Sequence, residues 1–232
     1  MRQFDVFVWG DRMAPPFTDK ALGWFSTDRF NEQLLDSDAE WIVFAHSSIQ
    51  IDRKFLNDLA ETISSFPMVD AFAPRIHDTT TGKFLSGFRF DKRTGIAMLE
   101  ENAPLRYVAA PHPYLAAFSR RIVQRTGRFD EELSTEEQLA DYSFRMLHAG
   151  GSMFSVPYLV ASGTAAGTPY GNINDLAYAM VKSFGLWKSR RFLLQHAGCI
   201  HHLWANRRAL QEKREKATLL SKLRKESLDK LF

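Results

Sequence analysis

Apolar positions along the chain fall into short runs of strand length, separated by longer one-sided stripes. Phe4–Trp9 alternates around an apolar stretch and ends at Gly10-Asp11, which predicts a strand running into a loop. Ala14-Pro-Pro16 interrupts regular structure. Phe30, Leu34 and Leu35 fall on one face of a helix predicted over Thr27–Asp36. Trp41–Ala45 is a continuous apolar run, as expected of a central strand covered on both sides. Asp52 can cap a helix over Arg53–Ser65, whose stripe is Phe55, Leu56, Leu59 and Ile63.

Further along, Val69–Ala73 is the next strand, and Thr79–Arg93 reads as a hairpin about Thr80-Thr-Gly82. Tyr107–Ala110 and Tyr114–Phe118 read as short strands on either side of Pro111-His-Pro113. Arg120–Thr126 is a short helix closed by Gly127. Thr135–Ala149 is amphipathic, with Leu139, Tyr142, Met146 and Leu147 inward, and Phe154–Val156 is a last strand. Ser162–Gly171 is a loop of small residues and Asn172–Trp187 a helix. Beyond about Leu193 the chain reads as helical and increasingly charged, with no repeat or low-complexity segment. Strands alternating with helices give an α/β domain with a mixed sheet over residues 1–192. Residues 193–232 form a basic, amphipathic helical extension.

Composition narrows this picture. The 232 residues are 45% hydrophobic and include 19 Phe, enough for a large core. A single cysteine, Cys199, forbids an intrachain disulfide and points to a reducing, cytoplasmic setting. No signal-peptide pattern opens the chain, and no apolar run approaches the ~20 residues of a transmembrane helix. Net charge is +3, but Arg207–Phe232 holds nine Lys/Arg against four Asp/Glu. The basic character belongs to the tail, which argues against a nucleic-acid-binding core.

Several segments, in order, resemble the family-2-type glycosyltransferases of the GT-A fold. Asp38–Asp52, Trp41–Ala45 included, is similar to the strand and turn that carry the family's D-x-D motif. Val69–Ile76 resembles the strand that follows. Phe118–Glu131, ending in Gly127-Arg-Phe-Asp-Glu131, resembles the run that ends in G-G-F-D-E. Asp141-Tyr-Ser-Phe-Arg145 resembles the helix bearing D-x-x-x-R. The match covers roughly residues 4–170 and starts late. Phe4–Asp11 aligns with the strand ending in V-D-N, or else Phe4–Trp9 is the first strand and a later unit is deleted. Either alignment leaves the donor half abbreviated.

The resemblance implies a nucleotide-sugar donor, a glycan or lipid-linked acceptor, a place in polysaccharide biosynthesis, and a divalent Mn²⁺ or Mg²⁺ held by the D-x-D carboxylates. Here the matching positions are His46, Ser47 and Ser48, with Asp11 also on the donor side. Imidazole can ligate softer metals, but two hydroxyls are poor substitutes for carboxylates. Metal dependence is therefore expected to be altered or absent, with His46 either meeting a phosphate directly or forming a polar turn. The family's catalytic base falls at Gln138 and Leu139, neither of which can act. Glu136 and Glu137 stand just upstream as the substitutes, although Ser134-Thr-Glu-Glu137 also fits a capping box.

His112, Asp130 and Glu131 fall on the acceptor side, where a rigid turn and an acidic helix flank are the alternatives. Asp141 and Arg145 are spaced for an ion pair on one helical face. The loop from Gly163 to Thr168 is either a diphosphate contact or plain surface. His196, His201 and His202 read as a scattered surface set. The tail from Asn206 either packs on its own domain or a second copy, or lies on an anionic membrane. A catalytically inactive binding or scaffold protein of the same fold is the rival functional reading.

Overall fold

A computed structural model of the chain describes residues 2–10, 22–26, 30–91, 95–98, 104–165 and 170–222. In chain order the elements begin with β1 (Phe4–Trp9), β2 (Leu22–Ser26), α1 (Phe30–Asp36), β3 (Trp41–His46), β4 (Ile49–Gln50) and α2 (Arg53–Ser65). They continue with β5 (Ala71–Asp78), β6 (Phe84–Leu85), β7 (Phe88–Asp91), β8 (Gly95–Met98), β9 (Arg106–Tyr107) and β10 (Leu115–Ser119). The remaining elements are α3 (Arg120–Thr126), α4 (Thr135–His148), β11 (Met153–Gly163), α5 (Ile173–Gln195), α6 (Cys199–Ala205) and α7 (Arg207–Lys222).

The main sheet runs β2-β1-β3-β10-β5-β11-β4. β1 is parallel to both β2 and β3, β10 is antiparallel to β3 and β5, and β5 and β11 are parallel. Alternation along β3 explains why its sequence shows no polar face. Trp41, Val43 and Ala45 enter a core with Phe55, Leu56 and Leu59 of α2. Ile42 and Phe44 enter the opposite core, with Ile122 of α3 and Leu139, Tyr142 and Met146 of α4. Both faces of the strand are covered, as the unbroken apolar run requires.

The caps hold as expected at two helices. Asp52 accepts from Phe55 N at 2.7 Å, an interaction worth about 1 kcal/mol. Ser119 caps α3, and Gly127 ends it with φ +82°. Helix α4 is buried on a second side as well, because Ala140 and Phe144 pack against Leu176, Met180 and Phe192 of α5. That second contact makes α4 a central helix between the sheet and the C-terminal helices.

Several elements differ from the sequence expectation, each for a local reason. The hairpin expected over Thr79–Arg93 is split: β6 pairs with β5, while β7 pairs with β8 and buries Phe88. Arg93 lies outside the described residues, as do Thr27–Arg29 of the expected first helix. The last strand is longer than Phe154–Val156, because β11 passes through Pro157 at an irregularity in register between Ser155 and Val160. Proline is tolerated where the ladder is already broken.

Helix α5 continues to Gln195, past Trp187 and past the Phe192/Leu193 position expected to end the domain. Gly185 breaks it internally, at φ +79° and ψ +166°. A side chain there would meet the Arg214 guanidinium, which can move aside, so it is the positive φ of the break that favours glycine. Over its described length the C-terminal segment packs on its own domain: α7 lies against α4 and α5, with Leu210 on the third core cluster.

Candidate functional site

Strand β3 ends at His46, and the turn that follows is tied to three neighbouring elements. His46 N donates to Tyr114 O at 2.9 Å, and Ser47 N to Trp9 O at 2.8 Å. Ser48 Oγ donates to Thr164 O at 2.6 Å, while Thr164 N donates back to Ser48 O at 3.2 Å. His46 Nδ1 lies 2.7 Å from Ser48 Oγ and 3.1 Å from Ser48 N, so that edge of the imidazole is engaged within the turn. The Tyr114 ring stacks on the imidazole at 4.3 Å and 22°, and Trp9 meets it edge-on at 4.5 Å.

Gly10 passes close to the other edge. Its φ is +94°, and a Cβ built there would lie 2.9 Å from His46 Nε2 and 2.8 Å from Ser47 Oγ. Glycine is therefore required where β1 leaves the sheet. The adjacent Asp11, expected on the donor side, lies outside the described residues.

The start of α4 approaches the same place from the opposite side. Burial and the charge of Glu136, together with a hydrogen-bonding interaction with that carboxylate, raise the Tyr114 phenol above its ordinary range. Tyr114 thus stacks on His46 and lies near enough to Glu136 for that carboxylate to act on its phenol. Glu136 is half-buried and also accepts from Gly171 N at 3.1 Å.

Glu137 has a different environment. It is fully buried, accepts from Asn172 N at 2.7 Å, and receives the Ser134 hydroxyl. Burial raises its carboxyl above the usual range against those hydrogen bonds. The expected capping box is not formed, because Ser134 N goes to Asp175 Oδ2 at 3.0 Å and Ser134 Oγ caps no backbone N–H. The Glu137 carboxylate instead fixes the start of α5.

His112 is buried, accepts from Tyr114 N at 3.2 Å through Nδ1, and packs edge-on against the Tyr114 ring. It supports Tyr114 from below. The neighbouring Pro111 carbonyl receives the Tyr170 hydroxyl at 2.8 Å.

Asp130, Asp141 and Arg145 belong to a separate ionic chain. Arg145 pairs with Asp141 at 2.8 Å, and Lys182 with both Asp141 at 2.5 Å and Asp130 at 2.9 Å. Lys213 then joins Asp130 at 2.8 Å to Glu132 at 2.6 Å. Burial pushes the Asp130 carboxyl up, but Lys182 and Lys213 together outweigh it and hold it at about 2. Removing one partner from such a buried chain is costly, so its evident work is to join the Asp130 loop, α4, α5 and α7. Glu131 is exposed beside it.

A divalent cation fits the turn poorly. Among the described residues no group of three or more His, Cys, Asp and Glu could hold a metal ion. His46, the one residue of the turn able to ligate a softer metal, has its Nδ1 engaged by Ser48, and its two neighbours offer only hydroxyls. Hard cations prefer carboxylate and carbonyl oxygen.

The sequence pattern showed neither the role of Tyr114, which reads as an ordinary strand residue, nor that of Trp9. Gly10 itself was an available signal, since a glycine directly after an apolar strand marks a close backbone approach, and its φ is +94°.

No known protein-family profile matches this chain, and no curated protein matches it. Solved structures do. GalNAc-T7, crystallised with UDP, GalNAc and Mn²⁺, superposes over 94% of this chain at a TM-score of 0.61 and 10% identity. S. aureus TarS superposes over 84% of this chain at 0.51 and 13% identity. The matched regions are 54% and 43% of those chains, so this chain spans about half their length. The structure has a GT-A-like glycosyltransferase fold.

Proposed function

We propose that this GT-A-like chain binds a nucleoside-diphosphate sugar where β1 and β3 end, and transfers the sugar to a glycan or lipid-linked acceptor. The carrying observation is the stack of Tyr114 on His46 at the end of β3, with Glu136 of α4 near enough to raise the same tyrosine's phenol. In this reading His46 donates through Nε2–H to a diphosphate oxygen while Nδ1 stays held by Ser48, a hydrogen bond in place of a metal contact. Glu136 accepts the proton of the acceptor hydroxyl as its oxygen bonds to the anomeric carbon and the bond to the diphosphate breaks. Glu136 is preferred to Glu137 because both Glu137 oxygens are already occupied in the interior. Thr164 and Ala165, tied to Ser48 and Asp78, border the donor, while residues 166–168 of the expected diphosphate loop lie outside the described residues.

Asp130, Asp141 and Arg145 then act on the site only by holding α4 in place, and His112 by holding Tyr114. A cytoplasmic enzyme of polysaccharide biosynthesis is the setting this reading suggests.

One observation favours a non-catalytic alternative, a glycan-binding relative of the same fold. Tyr114 covers one face of the His46 ring, the group that transfer would use on the donor. A thermal-shift series with UDP, GDP and dTDP, each with and without Mn²⁺, separates the two. Stabilisation by one nucleotide that is unchanged by Mn²⁺ supports the transfer reading. Absence of stabilisation by all three supports the alternative.

A further inference from the structure

The sequence contains a short pattern twice: Leu186-Trp-Lys-Ser-Arg-Arg191 and Leu203-Trp-Ala-Asn-Arg-Arg208 share L-W-x-x-R-R. Both copies fold alike. Arg190 Cζ lies 4.1 Å from the Trp187 ring centroid and Arg207 Cζ 4.5 Å from that of Trp204. Each arginine also donates to the carbonyl of its own tryptophan, at 3.0 and 3.2 Å. The two copies straddle different elements, the end of α5 and the α6–α7 junction.

The tryptophans are not core residues. Trp187 is 75% and Trp204 63% exposed, and Leu194 and Ile200 are 77% and 53% exposed. Trp187, Arg190, Arg191 and Leu194 share one face of α5 by helical spacing. Between Asp175 and Glu212 the chain has no acidic residue, while Lys188, Arg190, Arg191, Arg207 and Arg208 are all exposed. The Gly185 break separates this basic, aromatic half of α5 from the buried half before it.

We propose that the two Leu-Trp-x-x-Arg-Arg modules hold the protein on an anionic lipid surface as a peripheral contact. Indole rings favour the headgroup level, and guanidinium groups match lipid phosphates. The exposed leucine and isoleucine suit the boundary with the acyl chains. Single-stranded nucleic acid fits less well, since one face of each indole is already covered by arginine and the aliphatic residues would find no partner there. No helix among the described residues is long and apolar enough to cross a membrane, so the contact is a surface one. This inference is independent of the sugar-transfer reading and uses exposed residues of α5, α6 and the first turn of α7 rather than the C-terminal tail.

Flotation of the full chain with phosphatidylcholine vesicles, with and without phosphatidylserine, tests it. The expected result is recovery with the phosphatidylserine vesicles only, weakened by salt and accompanied by a blue shift of tryptophan emission. The W187A/W204A double variant lowers partitioning about tenfold, and each of R190Q and R191Q lowers it about fivefold. All four positions are exposed, so thermal melting controls for folding. Partitioning of W187A/W204A equal to wild type would assign any binding to the tail and overturn the proposal. Equal binding to both vesicle types, or binding to poly(U) or an acidic peptide without vesicle binding, would overturn it as well.

Discussion

Tyr114 lies flat against His46, ring centroids 4.3 Å apart, and its phenol feels the charge of Glu136 at the start of α4. The stack spans the molecule's two chemically interesting ends: the turn after a central strand and the first turn of a central helix. It also separates two kinds of influence on the site. The ring positions the imidazole, and the hydroxyl is coupled to the carboxylate.

Removing the hydroxyl alone separates those two functions. Tyr114→Phe keeps the stack, so its melting temperature should stay within the change expected for about 1 kcal/mol. If Glu136 works through this contact, the pH profile of turnover shifts while nucleotide affinity does not. Tyr114→Ala removes the stack too, and nucleotide affinity then falls as well. A Tyr114→Phe enzyme with an unchanged pH profile would remove the phenol from the chemistry.

The two glutamates should respond differently to the same substitution. Glu136→Gln leaves the fold intact and lowers turnover about a hundredfold or more, the scale of general-base catalysis. Glu137→Gln should instead keep activity and match or exceed wild-type stability at neutral pH. Burial raises the Glu137 carboxyl, so its ionisation carries a penalty that is relieved as pH falls through its folded value. Glutamine removes that penalty and can still accept from Asn172 N. Thermal melts at neutral pH alongside nucleotide-release rates check both variants. The reverse pattern, with Glu137→Gln inactive, would move the base to the buried position.

The ionic chain through Lys182 predicts a specific acid sensitivity. Asp130 titrates at about 2 in the folded chain, against an ordinary value near ~3.9. Its folded value is depressed, so its contribution is complete above about pH 4 and is lost as pH falls toward 2. Asp130→Asn should therefore cost on the order of 2 kcal/mol at neutral pH, and the gap to wild type should close in strong acid. Urea titrations at pH 7 and near pH 3 measure it. A gap that stays constant with pH would mean that packing, not charge, accounts for the loss.

Gly10 is a test of the turn itself. Gly10→Ala must place a methyl 2.9 Å from His46 Nε2 on a backbone with φ +94°. A cost of about 1–3 kcal/mol is expected from the backbone alone, together with displacement of the imidazole. Crystallography or His46 proton chemical shifts would show the displacement. An Ala variant of wild-type stability would mean that the β1 end is held less tightly than the geometry implies.

The alternation of β3, the Asp52 cap and the closing glycine of α3 were legible because they depend on neighbours a few residues away. The amphipathic pattern of α4 was legible for its sheet face only. Ala140 and Phe144 are also apolar, but their partners on α5 are more than 30 residues distant. The same distance hid the site. His46 and Glu136 could be named from the order of segments, yet Tyr114, which joins them, carries no local signal. Ser134 shows the converse, since its spacing from Glu137 suggested a local cap while Asp175, brought in by α5, holds its backbone instead.

Calorimetric titration of UDP-, GDP- and dTDP-sugars in EDTA, on wild type and His46→Ala, tests the central claim most directly. The account predicts that wild type binds one of these donors without a divalent ion and that His46→Ala loses about tenfold or more in affinity. If every donor binds His46→Ala as tightly as wild type, or if binding appears only when Mn²⁺ or Mg²⁺ is added, the donor site does not lie at the end of β3.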